Sequence, residues 1–247
     1  MIIVFVIICL VFLLLFYLFR RGWQAIPAGS PWRIVFAVVF PSGTLAFIAG
    51  RLLERIGWVG TATVLVWVGS FWLALMLYFT LGALLVDLLR LLHRWFHIFP
   101  AAVTANLPRA RLIALGATLA VTALVVSLGF WNARNPQVRR LAVTIPKAVE
   151  GRTSLRIALA SDIHLGILVG NSLVGDLVTT VAGLKPDLIL LPGDIVDEDL
   201  EPVIRQDLGR QLLALRAPLG VFACTGNHEY IGGAEPAVRY LEAHGIR

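Results

Sequence analysis

Cysteine, lysine and, over long stretches, charge of either sign are what this 247-residue chain has least of. Its two cysteines, Cys9 and Cys224, exclude a disulfide framework and a thiolate zinc cluster, and each reads as a small buried side chain. Charged residues make up 15% of the chain against 58% hydrophobic ones, and the mean hydropathy is +0.84. A globular chain carries about 25% charge, so much of this one belongs in lipid. Lys147 and Lys185 are the only lysines, and the net charge of +6 is therefore an arginine charge. The arginines cluster at the edges of apolar runs and form no basic stripe interleaved with exposed aromatics, which argues for a membrane surface and against a nucleic-acid partner. No Asp, Glu, Lys or Arg falls near the middle of a long apolar run. Ion and substrate pathways use such groups, so transport finds no support.

What is present divides in two: residues 1–131 read as a transmembrane helical anchor, 132–153 as a linker with an edge strand at Arg140–Ile145, and 154–247 as a soluble domain. Ile2–Phe19 is uncharged and, as a helix of 1.5 Å per residue, covers roughly 27 Å, close to the hydrocarbon thickness of a bilayer. A cleaved signal peptide carries its basic residues before the apolar run, whereas Arg20 and Arg21 follow it. Trp32–Gly50 is a second span, interrupted by Pro41, Ser42 and Gly43, which predicts a kink. Gly60–Val86 is a third, between Trp58 and Asp87, and Leu112–Phe130 a fourth, closed by Trp131 at interfacial depth. Trp67 and Trp72 read as packing residues, and His93 and His97 as interfacial ones. Arg20, Arg21 and Arg33 in one loop, and Arg90, Arg94, Arg109 and Arg111 in another, outnumber Arg51 and Arg55 between them. The richer loops are expected in the cytoplasm, which puts the soluble domain on the extracytoplasmic side of a cell membrane. Arg134, Arg139, Arg140 and Lys147 pull the other way.

In the soluble domain a single theme recurs three times. Leu155–Ala160 runs into Ser161-Asp162-Ile163-His164, Leu188–Leu191 into Pro192-Gly193-Asp194, and Gly220–Cys224 into Thr225-Gly226-Asn227-His228-Glu229. Each is an apolar strand ending in a small polar cluster, and helical segments at Asn171–Leu184, Pro202–Leu215 and Ala234–His244 alternate with them, which implies an α/β layer structure. Ligands of such sheets collect at the carboxyl ends of the strands, where all three clusters lie. Oxygen donors from Asp162, Asp194 and Asn227 with the imidazole of His164 form a mixed set suited to Mn, Fe or Zn more than to Ca. Each cluster alone is an ordinary turn or cap; three in order are not easily explained by structure. Asp197 and Glu229 read as residues that orient a ligand or cap a helix, and His244 as solvated helix surface.

The three motifs, Ser161 to His164, Gly193-Asp194-Ile195-Val196-Asp197 and Gly226 to Glu229, resemble the calcineurin-like metallophosphoesterases. The Gly-Asp-x-Val-Asp form and the multi-span anchor look like the membrane-anchored bacterial branch. The resemblance covers Ser154–Arg247. It implies that Asp162 and His164 bind one metal, that Asp194 bridges two, that Asn227 binds the second, and that His228 faces the substrate as acid to the leaving group or as donor to the phosphoryl oxygens. Two cations about 3.5–4 Å apart clamp the phosphoryl oxygens and acidify a bridging water for in-line attack. Glu198 follows Asp197 where protein phosphatases carry Arg, which argues against a phosphoprotein substrate. The family's later Gly-His-x-His motif and the second half of its αββα sandwich do not follow His244. The expectation is thus a partial domain, either a fragment or one whose missing half another chain supplies, with one apolar sheet face uncovered. The function expected is metal-dependent hydrolysis of a phosphomonoester or phosphodiester, with a lipid-linked substrate suggested by the anchor; the alternative is a catalytically inactive truncated membrane protein with a partial metal-binding domain.

Overall fold

The computed structural model describes residues 2–146, 151 and 153–247. The chain forms two compact units, Met1–Pro136 and Gln137–Arg247. The expected order, apolar helices and then an α/β layer, is the order found. Lys147 and some of the stretch read as a linker lie outside the described residues.

The first unit consists of α1 (Ile2–Ala25), α2 (Trp32–Arg55), α3 (Val59–Phe96), α4 (Ala101–Ala105) and α5 (Leu107–Arg134). All but α4 are long and apolar enough to cross a membrane. Helix α2 runs unbroken through Pro41. One turn on, Thr44 Oγ1 donates to the Phe40 carbonyl at 2.8 Å and accepts from Trp72 Nε1 at 3.2 Å, so the residues around the proline are tied to α3. Close approach of the two helices depends on glycine: a Cβ at Gly43 would collide with the Trp72 ring, and one at Gly69 with the Phe47 backbone. Small residues at such crossings are how helices pack where solvent supplies no hydrophobic drive. Phe40, Leu18 and Ala83 are buried at the centre, with Phe36, Trp72 and Met76 against them. Helix α3 continues past Val86 to Phe96, its 38 residues exceeding a hydrocarbon core of about 30 Å. His97, in the left-handed region with φ 52°, ends it.

The second unit holds β1 (Ile157–Leu159), α6 (Asn171–Gly183), β2 (Leu188–Pro192), α7 (Glu201–Arg205), α8 (Leu208–Leu212), β3 (Val221–Cys224), α9 (Asn227–Gly232) and α10 (Ala234–Ala243). The strands are parallel in the order β1-β2-β3, with Ala158 beside Ile189 and Ile189 beside Val221. Side chains alternate across a strand, so these three and Leu191 share one face. That face is buried with Val174, Val203, Leu208, Leu212 and Leu241 from the helices. On the opposite face Ile157, Leu159 and Phe222 are exposed.

Several local expectations change. Arg140–Ile145 is not a strand: Leu141, Val143 and Ile145 are exposed, and among the described residues β1 pairs only with β2, so no ladder holds this segment extended. The helix expected over Pro202–Leu215 breaks into α7 and α8 at Asp207, which has φ 54°. Beside that break Gln206 Nε2 donates to the Gly166 carbonyl at 3.0 Å, tying the end of α7 to the loop after β1. His244 is half-buried, with its ring over Gly209 and 4.3 Å from the Tyr240 ring, and is not solvated surface. Burial raises the Tyr240 hydroxyl above its ordinary pKa, outweighing the opposing hydrogen bond from the Gly209 N–H. Cys224, read as buried, is exposed at the last position of a four-residue strand; Cys9 is half-buried.

Candidate metal centre

Beyond the last ladder residues the chains leaving β1 and β2 stay side by side. The Asp162 N–H donates to the Gly193 carbonyl (3.3 Å), His164 to Asp194 (2.9 Å) and Leu165 to Ile195 (2.8 Å). Asp162, His164 and Asp194 all take the left-handed conformation, with φ of 53°, 52° and 50°. Non-glycine residues pay about 1–2 kcal/mol for that conformation and adopt it where surrounding contacts over-determine the backbone, as functional loops do.

The chain leaving β3 closes the group. The Asp194 Oδ1 accepts from the His228 N–H at 2.9 Å. This approach requires Gly226, because a Cβ there would overlap the Asp194 carboxylate. His164, Asp194 and His228 come together, each half-buried, with one ligand atom apiece within 4.8 Å of one another. The rings of His164 and His228 meet edge to face at 4.4 Å. Asp197 Oδ1 lies 3.1 Å from His228 Nδ1. A carboxylate only accepts, so Nδ1 carries the proton of that contact, and Nε2 is left as the ring nitrogen available to an ion or to a substrate.

Two imidazoles and one carboxylate, partly shielded from water, fit a first-row divalent ion better than they fit calcium. Asp162 lies outside that triad and is exposed, held beside Asp194 through its backbone. Asn227 is also exposed, as the first residue of α9, directly before His228.

Glu229 contributes most to holding the loops, although its sequence context suggests only a minor role. Its carboxylate is 1% exposed and accepts from four backbone N–H groups: Gly226 at 2.7 Å, Asp194 at 3.1 Å, Ile195 at 2.7 Å and Val196 at 2.9 Å. A buried carboxylate is tolerated only when so satisfied. It staples the turn after β2 to the turn after β3. The signal in the sequence was an acidic residue three positions after a helix cap, the spacing of a capping box; its reach to the second loop was not legible there.

Residues 155–245 match the calcineurin-like phosphoesterase family. A transmembrane protein with metallophosphoesterase domain from Bos taurus is 37% identical over 128 residues, covering 51% of this chain and 28% of the relative. Its namesake from Danio rerio is 34% identical over 113 residues, 45% of this chain and 25% of the relative. The UDP-2,3-diacylglucosamine pyrophosphatase LpxG of Chlamydia muridarum is 32% identical over 123 residues, 47% of this chain and 37% of the relative. The chain thus spans between a quarter and two fifths of the length of these relatives. No solved structure matches it significantly.

Proposed function

From a membrane protein whose residues 155–245 form a calcineurin-like metallophosphoesterase domain, we propose hydrolysis of a phosphomonoester or phosphodiester at the membrane by a two-metal centre. The observation that carries this reading is the convergence of His164, Asp194 and His228 from three strand ends. Asp162 and His164 would hold one ion, Asp194 would serve both, Asn227 would hold the second, and His228 would stand toward the substrate. Bound divalent ions supply Lewis-acid polarisation of the phosphoryl oxygens and lower the pKa of water into the neutral range.

The chain's own residues do the rest. Asp197 fixes the His228 ring through Nδ1, and Nε2, when it carries a proton, can give it to the leaving oxygen. Glu229 holds the two glycine turns against each other and so keeps Asp194 and His228 at one point. The membrane helices favour a lipid-linked phosphoester or pyrophosphate, and the name of the chlamydial relative supports that class. The arginine distribution supports an extracytoplasmic placement of the soluble unit and so an envelope substrate.

The test is turnover of a chromogenic phosphodiester by the purified chain with Mn²⁺, beside Asp194→Ala. Metal-dependent turnover that falls by about a hundredfold or more in the variant supports the enzyme. Absent turnover, with no more metal bound than in the variant, supports the other reading, an inactive membrane protein with a partial metal-binding domain.

A further inference from the structure

A basic cluster in the membrane unit takes no role in the phosphoesterase reading. Where α1 and α3 end and α5 begins, Arg21, Asp87, Arg90 and Arg111 line a cavity of about 80 Å³. The single carboxylate is already engaged: Asp87 accepts from the Tyr17 hydroxyl at 2.8 Å, pairs with Arg21, and lies 3.6 Å from Arg90. Three guanidiniums against one carboxylate leave an excess of two positive charges. Arg21 Nε is buried with no hydrogen-bond partner among the described residues, and Arg111 has no ion-pair partner among them.

Two apolar cavities adjoin the cluster. One of about 640 Å³ lies among α2, α3 and α5, past Phe36, Phe40 and Trp72, and shares Phe79 and Leu115 with the arginine cavity. The other, about 620 Å³, lies among α3, α4 and α5 and shares Val86, Arg90, Arg111 and Ala114 with it. Both fall within the range of about 300–1,000 Å³ typical of small-molecule sites. Apart from Ser30 and Thr122 in the first and Arg90, Asn106, Arg109 and Arg111 in the second, the walls are apolar side chains that give water no hydrogen bonds, so hydrocarbon is the matching occupant there. A cationic point between two apolar spaces has the layout of a two-chain amphiphile with an anionic head.

We propose that this is a binding site for one anionic phospholipid, its phosphate on Arg21 and Arg111 and its acyl chains in the two cavities. Guanidinium matches phosphate geometry with paired hydrogen bonds, and Arg111 has no partner among the described residues to compete for them, while Arg21, whose Nη groups meet Asp87 and Gln24, adds its charge. Basic pockets between membrane helices select acidic headgroups in just this way. A zwitterionic head brings its own ammonium group and leaves the excess charge uncompensated. The site consists of residues from the first unit alone, so it stands whether or not the phosphoesterase reading does.

The test uses the full chain, purified in mild detergent and offered equimolar phosphatidylglycerol and phosphatidylcholine, with bound lipid read by native mass spectrometry. One phosphatidylglycerol per chain is expected, in clear preference to phosphatidylcholine. Retention should fall about tenfold or more in Arg111→Gln, which breaks no ion pair among the described residues, and stay unchanged in Arg55→Gln at the other end of α2. Leu115→Trp, filling the neck between two of the cavities, should reduce retention with all arginines in place. As a measurement that needs no variant, phosphatidylglycerol should raise the melting temperature of the unaltered chain and phosphatidylcholine should not. Equal retention of both lipids, or unchanged retention in Arg111→Gln, would overturn the proposal.

Discussion

Glu229 shows how one side chain can set the geometry of a site without belonging to its ligands. Four N–H groups from two loops converge on its carboxylate, and three of them belong to the turn that carries Asp194. Glu229→Ala leaves those donors buried without an acceptor, at about 1–3 kcal/mol each where water cannot reach them. The expected outcome is a marked fall in the melting temperature of the soluble unit together with weaker Mn²⁺ binding, measured by thermal unfolding with and without the metal. Metal affinity unchanged in a stably folded variant would show that the loops hold themselves. The left-handed backbone at Asp162, His164 and Asp194 is consistent with such external support.

Among the elements, the contact of α2 with α3 is set by what their glycines lack. Gly69 has the Phe47 backbone where its Cβ would sit, whereas Gly60, on the same helix, has nothing within 4 Å. Gly69→Leu should therefore overpack the crossing and cost about 1–3 kcal/mol or more, while Gly60→Leu should be neutral or mildly stabilising through helix propensity. Thermal unfolding in detergent, monitored for both variants, separates the two; equal shifts would mean that α2 and α3 do not cross there. In the soluble unit the same scale explains the split of α7 from α8. The sequence over Pro202–Leu215 has helical periodicity, but the left-handed Asp207 turns the chain out of a continuous helix, next to the point where Gln206 is bonded to Gly166.

For the whole molecule, a metal that binds the folded state alone must stabilise it by mass action. At a free concentration of about 100 times the dissociation constant the gain is about 2.7 kcal/mol. Adding Mn²⁺ to the metal-stripped chain should raise the melting temperature of the soluble unit, EDTA should reverse the shift, and Asp194→Ala should abolish it. A shift of the same size in that variant would place the metal elsewhere. The helical unit should be insensitive to the metal, since the candidate ligands all lie in residues 162–228.

Much of this protein was legible in the order of its residues. Long uncharged runs have one favourable solvent, so the membrane helices were visible as composition, and a strand ending in a small polar cluster is a local pattern that survives without tertiary context. Local patterns fail where the deciding partner is distant in sequence. Only the folded chain showed α2 continuing through Pro41, the exposure of Arg140–Ile145, and the packing of His244 over Gly209. The arginines of α1, α3 and α5 read as edges of separate spans, and folding made them one cavity. Glu229 likewise read as a residue that orients a ligand or caps its own helix; its bonds to residues more than thirty positions earlier exist only because β2 and β3 are neighbours in a parallel sheet. Hydrophobicity and turn chemistry act between near neighbours and can be read along the chain, whereas hydrogen-bond partners and packing contacts are decided by which elements the fold sets side by side.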